Sequence, residues 1–393
     1  MITRALKAAN LVDFTYILVA GRMWGAGLDP YGPGFLAAGA GLLAPDATVF
    51  AYPPNWWIIA VPLAALKTGS AVLAWKLLNL AAAAAACALL VRSAARLAAG
   101  RWLWPACLFI LCAFTSDIME NVLRLGQTGL FVLLGFALLI AGLTDNRRPT
   151  QVAGLAVLLL KPPIGLLFLA LMATRRETRA AAGLALLVTA IACLPLLFTL
   201  GFGATVESAR NLLQNLQLYG QSPWNWPIHN SGLPHLFAYL GIGIPAVAAL
   251  VAAWATAELL LRRSPEAERD RFVVSFWMVS VAALLSMAQL HAYDFILFFT
   301  CLLLLPLLGK GPSRNLLLLS LVLTWSAPGL AKMAFLAEPS MDGFWMATRL
   351  KSDLLTAGGI ALLAAAVFHL RSRPDAVAAG NDNLLSARHA PGP

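Results

Sequence analysis

"VLLLKPPIGLLFL" (Val157–Leu169) puts a lysine and two prolines inside a segment otherwise apolar enough for a lipid bilayer. A charge at membrane depth costs about 2.5–3.5 kcal/mol on insertion scales, and a proline removes a backbone donor and kinks or breaks a helix. Working outward from Lys161, residues Gln151–Ala173 look like a single crossing. Yet Arg147 and Arg148 flank one end, and Arg175, Arg176 and Arg179 flank the other. Short basic loops stay on the cytoplasmic side, so both ends should lie there. Two arms of about ten residues, at 1.5 Å rise, reach only about half the hydrocarbon thickness. The spacing predicts a broken hairpin that enters from the cytoplasm and turns at Lys161, with an ordinary proline-kinked span as the alternative. Non-helical backbone at that depth survives only where protein buries it or where it lines a wet cavity.

The same logic extends along the chain. Hydrophobic residues make up 60% of the 393 positions and charged residues 12%, a balance that no soluble domain of this length needs. The net charge of +10 falls in short clusters beside apolar stretches (Arg92/Arg96/Arg101, Arg262/Arg263/Arg269/Arg271, Lys310/Arg314 and Arg371/Arg373, besides those above). That pattern orients a membrane protein and argues against nucleic-acid binding. With those loops inside, crossings thread as Ser70–Val91, Trp102–Asp117, Thr128–Leu143, Ala180–Leu200, Gly243–Leu261, Phe272–Gln289, Phe295–Leu308, Asn315–Leu330 and Leu354–His369. Asn55–Leu66 is too short to cross and reads as a re-entrant piece from the outer side. The expected fold is an all-α polytopic membrane protein with about nine to ten transmembrane helices plus re-entrant segments. It forms one integral domain over residues 1–372, with outer loops at 28–54 and 201–235 and a disordered cytoplasmic tail at 373–393. The five cysteines lie in apolar segments without paired spacing and read as small core residues.

Polar residues collect on the outer side. If Ala5–Gly25 is helical, Asn10, Asp13, Tyr16, Ala20 and Trp24 share one face. A carboxylate between aromatic rings suits carbohydrate; an interfacial amphipathic helix reads equally well. Asp29, in "GLDPYG", is either a second acid or a turn-former before proline. His291 and Asp294, three apart in "HAYDF", can face one cavity, either as a hydrogen-bonded pair that orients substrate or as half of a metal site for which no third ligand is fixed. Arg124 and Gln127, in "ENVLRLGQTG", share a face at a membrane boundary. No Walker loop, dinucleotide glycine motif or serine-hydrolase spacing is present.

Six stretches together resemble glycosyltransferase family 87. They are "DFTYILVAGRMWGAGLDPYG" (Asp13–Gly32), "YPP" (Tyr52–Pro54), "GQTGLFVLLGFALLIAGL" (Gly126–Leu143), "AGLAVLLLKPP" (Ala153–Pro163), "HNSG" (His229–Gly232) and "HAYDFILF" (His291–Phe298). The resemblance implies a C-type glycosyltransferase fold, including mannosyltransferases among its known members, in the inner (plasma) membrane. It implies a polyprenyl-phosphate-linked sugar donor, a lipid or glycan acceptor, and no cofactor. By position it makes Asp13 the expected catalytic base, with Asp29 as the second candidate. Lys161, Arg124 and Gln127 are then candidates for the donor phosphate, and Tyr16, Tyr52, Asn230, His291 and Asp294 for the substrate. The sequence departs from the family's pattern at Gly129, where an Asn is usual. Only twelve residues precede Asp13, so the natural start is expected upstream. A broken helix and a buried lysine also suit a transporter or flippase of a lipid-linked or anionic substrate, which is the alternative.

Overall fold

The computed structural model describes residues 11–44, 47–98, 102–221, 230–243, 245–262, 269–287 and 290–371. Trp224–Trp226, His229 and the tail from 373 lie outside them. The described residues form helices and no strand, apart from one antiparallel bridge between Ser231 and Leu290. In order the helices are α1 (Val12–Gly25), α2 (Phe35–Ala38), α3 (Trp57–Ala64), α4 (Thr68–Leu97), α5 (Leu103–Thr115), α6 (Asp117–Leu125), α7 (Gly129–Asp145), α8 (Arg148–Leu158) and α9 (Pro162–Ala173). They continue as α10 (Arg179–Leu200), α11 (Phe202–Gln221), α12 (Leu233–Tyr239), α13 (Ala246–Leu261), α14 (Arg269–Ala283), α15 (Ile296–Phe299), α16 (Pro312–Ala337) and α17 (Met341–Arg371).

Among the described residues, four helices (α4, α10, α16 and α17) are long and apolar enough to cross a membrane, and α5–α6, bent by 52°, makes a fifth if taken as one span. By length and composition the described helices thus supply four to five spans of the expected nine to ten. Two shorter helices, α7 with 17 residues and α14 with 15, are buried along nearly their whole length inside the protein. The membrane-capable α10 is the opposite case, with Leu187, Ile191 and Phe198 exposed, as lipid-facing residues are. The α5–α6 bend falls at Ser116, whose extended backbone leaves the first helix while its Oγ accepts from Met119 N at 3.2 Å and caps the second. Of the cysteines, Cys87 and Cys301 are buried but Cys107 is exposed, so not all are core residues.

The Lys161 segment is broken where the sequence requires it. α8 ends at Leu158 and α9 starts at Pro162. Prolines at 162 and 163 cannot donate to the carbonyls one turn back, and those carbonyls are bonded from elsewhere. Asn55 Nδ2 donates to Leu159 O at 3.3 Å, and Trp56 Nε1 donates to Leu160 O at 2.8 Å. The short "YPPNWW" piece, a 3₁₀ turn leading into the eight-residue α3, thus clamps the break. The two ends of the segment lie together: Asn146 and Gln151 line one small cavity with Glu177, Thr178 and Arg269. Phe168, beyond the break, packs on Phe136 of α7 with tilted rings 5.5 Å apart, and α7 also meets α8 through Gly154. A Cβ on Gly154 would come within 2.5 Å of Leu139 N. The chain therefore doubles back at Lys161, as the hairpin reading expects.

The basic clusters gather at the same end. Arg92 and Arg96 both pair with Asp145. Arg269 Nη2 donates to Leu143 O at 2.6 Å, and Glu258 bridges Arg175 at 3.2 Å and Arg262 at 3.4 Å. That end lies about 25 Å from the start of α7 at 1.5 Å rise per residue. The opposite end carries the first loop, whose Tyr31, Phe35, Phe50 and Tyr52 join Trp24 and Trp56 in a continuous aromatic cluster. Over this loop lies α11, which turns Ser208, Asn211 and Asn215 toward the protein and leaves Phe202, Val206 and Leu213 exposed.

Candidate active site

The site forms where α1, the turn into α7, the Lys161 break and the His291–Asp294 segment meet. α1 is only 14 residues long and is not one of the membrane-capable helices. Asp13 sits in its first turn, where a carboxylate is favoured by the helix dipole. Gln127 Nε2 donates to Asp13 Oδ2. Gly126 makes this reach feasible: it ends α6 in the left-handed region at φ 69°, and a Cβ there would meet Leu11 and Phe14 at 2.9 Å. Trp75 Nε1 fixes the same turn through Gly126 O at 3.1 Å.

Across from Asp13, Lys161 Nζ pairs with Asp294 Oδ1. Asp294 is almost fully enclosed and Lys161 is 17% exposed at its side chain, so the ammonium keeps a path to the site while its partner does not. The other Asp294 oxygen accepts from His291 N at 3.1 Å, which locks the tight turn between the two residues. Burial pushes the Asp13 carboxyl up to about 7, against the pull of the Lys161 charge and the Gln127 hydrogen bond. Burial and Lys161 hold the His291 imidazole down to about 4, with Asp294 opposing and Lys351 of α17 adding to the push. His291 is therefore neutral at pH 7. Tyr52 lies between these groups: burial first, then the charge of Asp13, raise its hydroxyl well above the usual range.

Of the residues the sequence singles out, the structure brings together Asp13, Gln127, Lys161, His291, Asp294 and Tyr52. Tyr16 stands one turn beyond Asp13 on α1, and its hydroxyl accepts from Thr48 N at 2.8 Å. Asn230 is buried beside the bridge that joins Ser231 N to Leu290 O at 2.9 Å, so Asn230–Gly232 is pinned to the His291 segment. Asp29 lies at the far end of α1, about 20 Å along that helix from Asp13. Its oxygens accept from Tyr31 N at 3.0 Å, Ser208 Oγ at 2.7 Å and Asn211 Nδ2 at 3.0 Å, the bonding of a turn-former that anchors the loop to α11. Arg124 is exposed and donates to Asn121 Oδ1 at 3.1 Å, outside the Asp13 group. Trp24, expected on the carbohydrate face of α1, is fully buried in the aromatic cluster. Lys351 was not anticipated, because the last crossing was expected to begin after it, at Leu354.

The chemistry of this group is limited and specific. It offers a carboxylate able to take a proton near neutral pH, a cation beside it, and aromatic and amide groups around both. Among the described residues no three of His, Cys, Asp and Glu converge as a metal site. Such an all-helical chain, with membrane-capable helices and an acid–cation group at the end opposite its basic loops, is a multi-pass membrane protein. The sequence model of glycosyltransferase family 87 matches residues 50–287, more than half of the chain. The chain belongs to glycosyltransferase family 87, a family of membrane glycosyltransferases. No curated protein and no solved structure matches it. The matched region takes in Tyr52, Gln127, Lys161 and Asn230; Asp13, His291 and Asp294 fall outside it.

Proposed function

We propose that this glycosyltransferase transfers a hexose, mannose-like, from a polyprenyl-phosphate donor to a hydroxyl of a lipid or glycan acceptor at the outer face of the inner (plasma) membrane. The reaction is a single displacement. The acceptor oxygen attacks the anomeric carbon, its proton passes to Asp13, and the carbon–oxygen bond to the phosphate breaks with the electron pair leaving on the polyprenyl phosphate. One displacement inverts the anomeric configuration, as in one-step hydrolysis with an alcohol in place of water. Asp13 is the base because it is oriented by Gln127 and its proton affinity lies near the operating pH. Lys161, fixed by Asp294 at the hairpin tip, places positive charge where the leaving phosphate gathers its negative charge. Tyr52, Asn230 and His291 line the approach to this pair.

The observation that carries this reading is the placement of Asp13 opposite the Lys161–Asp294 pair, at the end of the protein away from its basic loops. The test is to supply purified protein in nanodiscs with radiolabelled polyprenyl-phosphate-mannose, or with a nucleotide-linked sugar, and a lipid acceptor. Product from the lipid donor with an inverted anomeric centre supports the reading. Product from the nucleotide sugar alone, or retained configuration, refutes it.

A further inference from the structure

Lys351, itself half-buried, lies about a third of the way along α17, in line with residues that this helix turns inward. Its helical neighbours one turn away, Ala347 and Leu355, are 6% and 0% exposed, and Leu362 further along the stripe is 0% exposed. A lysine on such a stripe is costly unless an anion pairs with it. Yet among the described residues Lys351 has neither a hydrogen bond nor an ion pair, whereas Lys161 is paired to Asp294. The neighbouring acid on α17, Asp353, is committed elsewhere: its Oδ1 lies 2.8 Å from His235 Nε2.

The surroundings bring Lys351 to the site. Gly232 N donates to Thr356 Oγ1 of α17 at 2.8 Å, and Ser231 N donates to Leu290 O at 2.9 Å. These bonds, with the His235–Asp353 contact, fasten α17 to Ser231–Gly232 and those residues to the His291 segment. His291 in turn feels the positive charges of both Lys161 and Lys351. A lysine at the α8–α9 break and a lysine of α17 thus both act on one histidine, and only the first has its counter-ion.

We infer that Lys351 is the second cation of this site and that its counter-ion is the phosphate ester of the substrate, held between Lys351 and Lys161 beside His291. The inference rests on the lipid-phosphate donor proposed above and adds a residue to that same site. A phosphodiester carries one negative charge before transfer, and the leaving phosphate carries more, so an uncompensated ammonium favours the products of bond breaking. Arg124, the other cation near Gln127, is exposed and engaged with Asn121, so it does not supply that charge.

Binding of polyprenyl phosphate and of uncharged polyprenol to the full-length protein in nanodiscs tests this. Wild type should bind the phosphate at least tenfold more tightly than the alcohol. Lys351→Met should lose that tenfold preference with polyprenol binding unchanged, while Lys351→Arg keeps most of it. A wild-type experiment removes dependence on the variants' folding: polyprenyl phosphate, and not polyprenol, should protect Lys351 from acylation as read by mass spectrometry. Inorganic phosphate that fails to displace the lipid supports the ester assignment; displacement by it would make free phosphate the ligand and overturn that assignment. Unchanged phosphate binding by Lys351→Met, or equal acylation of Lys351 with and without the lipid, overturns the role of Lys351. Wild-type protein that binds polyprenyl phosphate through Lys351 but transfers no sugar leaves this inference standing and removes the proposed function instead.

Discussion

Trp56 holds the backbone break that carries Lys161, and removing its indole N–H should be costly. The indole is fully buried and donates to Leu160 O at 2.8 Å. That carbonyl has no helical partner, because Ile164 N turns instead to Lys161 O at 3.1 Å. Leaving a buried acceptor unsatisfied costs about 1–3 kcal/mol, or about 5- to 150-fold in the folding equilibrium. Trp56→Phe should therefore destabilise by at least that much, with the lost ring volume adding to it. Trp57 is the control, because its indole nitrogen is buried with no hydrogen-bond partner. Trp57→Phe loses the same volume and discards an unsatisfied donor, so it should be close to neutral. Unfolding in detergent, followed by circular dichroism, would compare the two. If they match within about 0.5 kcal/mol, the indole does not hold the break and the clamp described here is wrong. A loosened tip should also lower sugar transfer, because Lys161 is positioned by the same turn.

Four further outcomes are expected. Activity should rise with pH about tenfold per unit below about 7 and level off above it, because the base works only when Asp13 has lost its proton. Gln127→Leu removes a hydrogen bond that lowers the Asp13 proton affinity, so the acid limb of that profile should move to higher pH; an unmoved limb would exclude Asp13 as the titrating group. Cysteines placed at Asn146 and Thr178 should react with an impermeant label from the same side of the membrane, since both residues line one cavity; opposite-side labelling would make Gln151–Ala173 a through-span. Gly154→Leu should abolish accumulation of folded protein, because its side chain would enter the backbone of α7 at Leu139 and Gly135, and normal yield in membranes would contradict the packing.

What the sequence made legible was chiefly what backbone chemistry and charge dictate locally. Two prolines after a lysine had to break a helix, and arginines on both flanks had to bring the chain back. Asp13, Gln127, Lys161 and Asp294 were each readable as polar groups on one side, though nothing in their spacing revealed that they pair as Asp13–Gln127 and Lys161–Asp294. Which apolar helices face lipid was not legible, because α7 reads like α10 in the sequence while being surrounded by protein, whereas α10 exposes Leu187, Ile191 and Phe198. Trp24 misled, and the choice between Asp29 as a second acid and as a turn-former stayed open, for a related reason. A carboxylate before proline and a tryptophan on a polar-looking face are read by type, whereas their partners, Ser208 and Asn211 for one and the Tyr31–Phe50 rings for the other, come from elsewhere in the chain. Lys351 was missed because a charge near a helix end reads as a loop flank. The helix in fact begins at Met341, so Lys351 is more than two turns inside it, between the buried Ala347 and Leu355.

The measurement that bears most directly on the central claim is sugar transfer by Asp13→Asn beside Asp29→Asn. Asparagine keeps the shape and the bond to Gln127 but cannot accept the acceptor's proton. Transfer from a polyprenyl-phosphate-sugar by Asp13→Asn should fall about 10²- to 10⁴-fold, with expression and polyprenyl phosphate binding near wild type. Asp29→Asn, which touches only the loop anchor on α11, should fall by no more than about one to two orders of magnitude. Near-normal transfer by Asp13→Asn together with an inactive Asp29→Asn would contradict the account.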